Sequence, residues 1–162
     1  MSDSPLVIRA ATLEDASAIS ALLLSLARYC TIDPLGAGAE KFLASFQPGA
    51  VAALIANPAY RYLTGWVDGE LGGVVAMRDH AHLYHLFVAE RFHGRGYASR
   101  LWDAIRIDAE AAGHPGRYTV NSSMAAVDVY QHFGFVIHGE HMAANGILYV
   151  PMVLDAARCR PA

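Results

Sequence analysis

The stretch from Leu86 to Ala98 reads Leu-Phe-Val-Ala-Glu-Arg-Phe-His-Gly-Arg-Gly-Tyr-Ala, an apolar strand pattern that passes through RxxGxG into a helix. The helical pattern runs from Tyr97 to Ala112, with Leu101 and Ile105 on its buried side, and Gly113 with Pro115 stops it. At such a junction the first backbone N–H groups of the helix have no partner and the helix dipole is positive. Glycines let the backbone turn so that several N–H groups aim at one spot, which makes a cradle for a pyrophosphate. Arg91 and Arg95 would add positive charge. The spacing is not that of a dinucleotide fold, because Gly94 and Gly96 are followed by Ser99 and no acid stands at the end of a second strand. GK[ST] is absent too. On the loop alone, a glycine turn without any ligand is the competing reading.

Composition narrows the setting. The chain has 162 residues, 12 Lys and Arg against 15 Asp and Glu, and 54% apolar residues. That length suits one core, so a single domain over 1–162 is expected, its core at about 6–155. Weak acidity offers no footprint for nucleic acid and no basic tract for a lipid surface. The segment Met1–Pro5 lacks a signal-peptide pattern, and the richest apolar stretch, Ala16–Tyr29, is broken by Ser17, Ser20, Ser25 and Arg28. Cys30 and Cys159 form no framework, so a cytoplasmic protein is expected.

Along the chain, Leu6–Ala10 reads as a strand and Thr12–Asp15 as a capping box. Ile19, Leu22, Leu23 and Leu26 form one helical stripe ending near Tyr29. Helical pieces are expected at Glu40–Phe46 and Ala50–Ala56, within a poorly patterned region from Asp33 to Pro58. Strands follow at Tyr60–Val67, Glu70–Arg78 and Ala81–Val88, with turns at Asp68-Gly69 and Asp79-His80. Arg117–Val120 is a strand and Met124–Phe133 a helix. Phe135–Gly139 and Ile147–Leu154 are the last strands, around an Asn145-Gly146 turn. The order implies a mixed α/β (α+β) sheet covered by helices.

A second constellation, Thr119 to Phe135, is a strand, a polar cluster at Asn121-Ser122-Ser123, and a helix ending in YxxxGF. With RxxGxG some way upstream, the chain from Ile8 to about Leu154 resembles the GNAT superfamily of acetyl-CoA-dependent N-acetyltransferases. The resemblance implies a mostly antiparallel sheet of about 6–7 strands, about four flanking helices, and two parallel central strands that splay apart. Acetyl-CoA would lie in the opening between Ala81–Val88 and Arg117–Val120, with no metal. Backbone groups of Leu86, Phe87 and Val88 would pair with the pantetheine amides. The pyrophosphate would sit on N–H groups of the segment His93, Gly94, Arg95, Gly96, Tyr97, Ala98 and Ser99. Asn121 would hold the pantetheine arm, aided by Ser123, and the Tyr130 hydroxyl would lie near the thioester sulfur as a general acid.

A base is wanted as well, because an alkyl amine with pKa ~10.4 is almost wholly protonated at pH 7. By strand alternation His80, His82, Tyr84 and Leu86 share one face, and His85 and Phe87 the other. His82 and His85 should therefore point apart, which argues against a metal site in HxHxxH. The resemblance implies a base on this strand, two to four residues before its splayed end, and His82 is the candidate. Of the eight histidines, His93 could touch phosphate, and His138 and His141 flank Glu140 where an acceptor could bind. His114 and His132 carry no assignment. Asp33, Glu40 and Glu140 could attract a cationic amine, or simply be solvated. The implied activity is acetyl transfer to a primary amine, small-molecule or peptide, in a ternary complex. The alternatives are a catalytically silent acyl-CoA-binding sensor or an enzyme for a longer acyl group. A homodimer is compatible with the pattern.

Overall fold

The computed structural model describes residues 5–113 and 116–155. Expectations that fall on Met1–Ser4, His114, Pro115 and Cys159 lie outside the described residues. The architecture is one eight-stranded sheet in the order β1-β2-β3-β4-β5-β8-β6, with β7 paired to β8.

The first half is a meander. β1 (Val7–Ala10), β2 (Tyr60–Val67), β3 (Glu70–Arg78) and β4 (His82–Val88) pair antiparallel. Both expected turns form with left-handed residues, Asp68 and Gly69 at φ 52° and 79°, Asp79 and His80 at 54° and 56°. That twist matches the right-handed twist of the strands they join. The Asp15 carboxylate accepts the Thr12 N–H at 2.8 Å and both terminal nitrogens of Arg9 at 2.8 and 3.0 Å. This capping opens a single 3-10 turn, Leu13–Asp15, and then α1 (Ala16–Leu26). α1 buries Ile19, Leu22, Leu23 and Leu26, the stripe read from the sequence. α2 (Glu40–Ala44) and α3 (Pro48–Ala56) follow.

α4 (Tyr97–Ala111) crosses from β4 to β5 (Arg117–Ser123), the one parallel pair in the sheet. Leu101 and Ile105 are fully buried against the sheet, as their spacing implied. α4 packs on β3 so closely that a Cβ on Gly73 would stand 2.8 Å from the Leu101 side chain. A 3-10 turn at Met124–Ala126 leads into α5 (Val127–His132), so the α-helix is shorter at both ends than the expected Met124–Phe133.

Other departures are local. β5 runs on through Asn121-Ser122-Ser123, because β8 (Ile147–Asp155) pairs with it along its full length to Ser123↔Tyr149. The polar cluster is therefore strand, and its last residue, Ser123, also stands at the N-cap of the next 3-10 turn without a side-chain cap bond. The expected strand Phe135–Gly139 shrinks to β6 (Val136–Ile137), and an unexpected β7 (Met142–Ala144) forms across the Asn145-Gly146 turn. Among the described residues there are eight strands and five helices, in line with the expected mixed, mostly antiparallel sheet of about six to seven strands and about four helices.

Candidate active site

β4 and β5 pair only at His82↔Thr119 and Leu83↔Val120. Beyond those residues the strands diverge and a wedge opens between them. Its wall on the β4 side is main chain. The Ala89 N–H donates to the Gly72 carbonyl at 2.9 Å, so Ala89 and Phe87 spend their peptide groups on β3. Antiparallel alternation then turns the N–H and C=O of Leu86 and Val88 away from β3, into the wedge. The Val88 carbonyl confirms the direction, since it accepts a hydrogen bond from His93 Nε2 at 2.7 Å.

The wedge opens into a cavity of about 670 Å³. Leu86, Phe87, Val88, His93, Gly94, Gly96, Tyr97, Ala98, Ser99, Ser123 and Tyr130 all line it. Gly94 and Gly96 adopt φ of 80° and 78°, and an added Cβ at either would meet nothing within 4 Å. Here glycine answers a backbone conformation and an open space, not a packing demand. Gly96 caps α4 without any side-chain hydrogen bond, so the first N–H groups of a fifteen-residue helix face the cavity. Carboxylates are scarce: Asp128 alone lines the wall.

Neither loop arginine stands in that wall. Arg91 reaches to Glu70 at 2.7 Å and lies 4.8 Å from the centre of the Phe92 ring, and Arg95 lies 5.4 Å from the same centre. Phe92 is buried, and its ring packs the loop against Gly72 of β3. At the rim, Glu90 accepts the Tyr29 hydroxyl at 2.7 Å and pairs with Arg28, tying the end of α1 to the loop after β4.

Tyr130 is buried where the cavity narrows. Its carbonyl accepts the N–H of Phe135 at 3.0 Å, closing the GF turn with Gly134 at φ 103°. Its ring packs edge-on against Phe133 and Phe135. Burial, with the Cys30 thiol nearby, holds the phenol well above its ordinary range, so it stays a proton donor. Cys30 is pushed up to about 11 by burial and is a neutral thiol.

A second pocket of about 250 Å³ meets the first at Cys30, Phe87 and Ser123. His82, His85 and Asn121 line it with Phe42, Phe46 and Tyr149. This corrects the expectation that His82 and His85 point apart. Register runs Ala76↔His85 and then Met77↔Leu83, so Tyr84 is an extra residue in β4. A bulge of this kind breaks the alternation of faces and lets both imidazoles reach one pocket. The odd spacing of Leu83 and Leu86 is the trace it leaves in the sequence.

The two imidazoles differ. His82 Nδ1 bonds the Thr119 hydroxyl at 2.8 Å, and burial, helped by Arg78, lowers its pKa below 6.5. His85 is fully buried, bonds the Tyr62 hydroxyl through Nδ1 at 2.9 Å, and is pushed down to about 3 by desolvation. Both are neutral at pH 7. The His85–Tyr62 pair is a feature that sequence reading missed, since nothing marks which strand residue will meet Tyr62. Asn121 also stands in this second pocket instead of the first, because β5 alternation groups it with Thr119.

The acids expected to attract an amine do other work. Asp33 accepts the N–H groups of Leu35 and Ala37, at 3.1 and 2.9 Å, and Glu40 that of Gly38 at 3.1 Å. Glu140, His138 and His141 are exposed between β6 and β7, outside both pockets. Among the described residues no three His, Cys, Asp or Glu side chains gather to hold a metal, and no helix is long and apolar enough to cross a membrane.

Comparison with known proteins gives this geometry a family. Solved structures match the fold over nearly the whole chain. One is a GCN5-related N-acetyltransferase from Rhodopseudomonas palustris, with TM-score 0.74 and 22% identity, covering 96% of this chain and 98% of that one. Another is PaiA N-acetyltransferase from Thermoplasma acidophilum in complex with coenzyme A, with TM-score 0.75 and 13% identity over 93% and 99%. A third is an aminoglycoside 6'-N-acetyltransferase complexed with coenzyme A, with TM-score 0.68 and 14% identity over 91% and 95%. No curated protein sequence matches the chain. The family model described as acetyltransferase (GNAT) domain matches residues 30–156. The chain belongs to the GNAT family of acetyltransferases.

Proposed function

We propose that the protein transfers an acetyl group from acetyl-CoA to a primary amine by direct attack within a ternary complex. The observation that carries this reading is the wedge itself. It joins an uncapped helix N-terminus, outward-facing main chain at Leu86 and Val88, and a pocket holding two neutral imidazoles. Neighbours of the same fold are complexed with coenzyme A. The residues present fit acetyl-CoA, whose thioester supplies the activated acetyl group.

In this reading the N–H groups from His93 to Ser99 hold the pyrophosphate, and the open space above Gly94 and Gly96 admits it. The pantetheine amides pair with Leu86 and Val88. For the latter, His93 must release the Val88 carbonyl that it bonds. Ser123 flanks the arm, and Arg95 offers charge at the rim. Arg91 stabilises the loop through Glu70 and Phe92 rather than by touching phosphate.

His82 takes a proton from the ammonium, and Thr119 orients its ring through Nδ1. The freed amine attacks the carbonyl carbon, so a C–N bond forms while the Val88 N–H faces the oxygen that gains charge. The C–S bond then breaks with its electron pair on sulfur, and the Tyr130 hydroxyl donates a proton there. Tyr130 regains its proton from the new amide nitrogen, and His82 releases its own to solvent. One ammonium and one thioester thus become an amide, a thiol and a proton. A cytoplasmic location, where thiols such as Cys30 stay reduced, goes with this reading.

The test is to incubate purified protein with acetyl-CoA and a panel of amines, following free thiol and N-acetyl product together. Equal amounts of both are expected. Tight acetyl-CoA binding without either product would instead assign a sensor.

A further inference from the structure

We propose that the acceptor is a small amine with one charge and one compact aromatic or branched apolar group, and that polycationic amines are excluded. This rests on the acetyltransferase reading above and concerns the second pocket. Phe42, Phe46, Phe87 and Tyr149 line it with the rings of His82 and His85 and the neutral polar groups of Ser45, Asn121 and Ser123, and among the described residues no Asp or Glu does. Asp33 and Glu40, close to the wall in sequence, turn their carboxylates to loop N–H groups of Leu35, Ala37 and Gly38.

The physical argument has three parts. One amine can enter as the free base, leaving its proton in solvent at the cost set by a pKa of ~10.4. A second ammonium doubles that cost or enters charged. Burying it beside rings and without a counter-charge costs several kcal/mol, far more than the ring faces return. Size acts in the same direction. A pocket of about 250 Å³ holds the volume of roughly eight waters, room for a single ring and a short arm. Finally, the rings reward an apolar substituent by the area they remove from water.

The pocket is also rigid where it matters. His85 is held by Tyr62 at 2.9 Å and wedged edge-on between Phe46 and Phe87. The start of β8, Ile147 to Tyr149, lines the pocket, and the turn before it is anchored where the Gly146 carbonyl accepts the Ile32 N–H at 2.9 Å.

The experiment compares kcat/KM for 2-phenylethylamine, isobutylamine, spermidine and kanamycin at saturating acetyl-CoA. The two monoamines should exceed spermidine and kanamycin by at least tenfold, with 2-phenylethylamine highest. Spermidine or kanamycin equal to or better than the monoamines would overturn the assignment while leaving acetyl transfer intact. No product from any amine, with acetyl-CoA still bound, would overturn the acetyltransferase reading and this one with it. A Leu148→Glu variant, placing a carboxylate on the pocket wall, should narrow the monoamine preference at least threefold. Its melting curve and its acetyl-CoA affinity report whether the fold is kept.

Discussion

The two halves of the site are built from different materials. The larger cavity presents main chain along one side: glycines with left-handed φ, free helix N–H groups and strand peptides turned outward by ladder alternation. The smaller pocket is walled by side chains from five separate segments, Cys30, α2 with the residues just after it, β4, β5 and β8, the two β4 imidazoles being brought to one face by a bulge. Main-chain recognition tolerates almost any neighbouring side chain but demands glycine at fixed spacing. Side-chain recognition leaves no spacing at all, since its members are set by tertiary packing.

That division can be broken by substitution. The largest effect is expected from His82→Ala, which should lower kcat by about 10²-fold or more while acetyl-CoA affinity changes less than twofold. Wild-type kcat/KM should fall as pH falls, with a midpoint below 6.5, because burial and Arg78 hold His82 below its ordinary value and only the neutral ring accepts a proton. Around it stand Arg78, Tyr84, His85 and Cys30, and Arg78→Ala should move the midpoint to higher pH. Loss of the low-pH limb in His82→Ala would assign the limb to this ring.

Gly96→Val attacks the other region. A β-branched residue at φ 78° is strained by about 1–3 kcal/mol, and its side chain fills space kept open beside the helix N–H groups. Acetyl-CoA binding measured by calorimetry should weaken at least tenfold, with kcat at saturation changed far less.

Next in size is an effect on stability. His85 is pushed down to about 3 by burial, whereas an unfolded histidine titrates near 6.5. Its neutral burial therefore stabilises the fold fully above pH 6.5, and the benefit shrinks as pH falls toward 3. Between pH 7 and pH 5 the loss is about 2 kcal/mol. His85→Phe should flatten the fall in Tm across that range, even though it leaves the Tyr62 hydroxyl without its partner and lowers Tm at pH 7. The smallest effect is expected from Arg91→Ala. An exposed pair with Glu70 is worth 1 kcal/mol or less, so acetyl-CoA affinity should change less than threefold. A tenfold loss would move Arg91 into the phosphate site.

Legibility in the sequence follows the same line. The strand–RxxGxG–helix junction, the paired Asp-Gly and Asp-His turns and the Leu101–Ile105 face are local, and their elements form where the pattern placed them. The family was legible for that reason. The extension of β5 through Asn121 was not, because it depends on β8 arriving alongside. Nor was the convergence of His82 and His85, because Tyr84 bulges only in the context of its pairing with β3. The loop Asp33–Pro58, unreadable as a motif, supplies Phe42 and Phe46 to the pocket by packing alone.

The central claim is that this wedge moves an acetyl group to an amine. The direct measurement is NMR of [1-13C]acetyl-CoA mixed with wild-type protein and 2-phenylethylamine. The account predicts that the thioester carbonyl signal is replaced, mole for mole, by an amide carbonyl, and that His82→Ala slows the exchange about 10²-fold or more. A thioester signal that persists, broadened by binding but never converted with any amine offered, would contradict it.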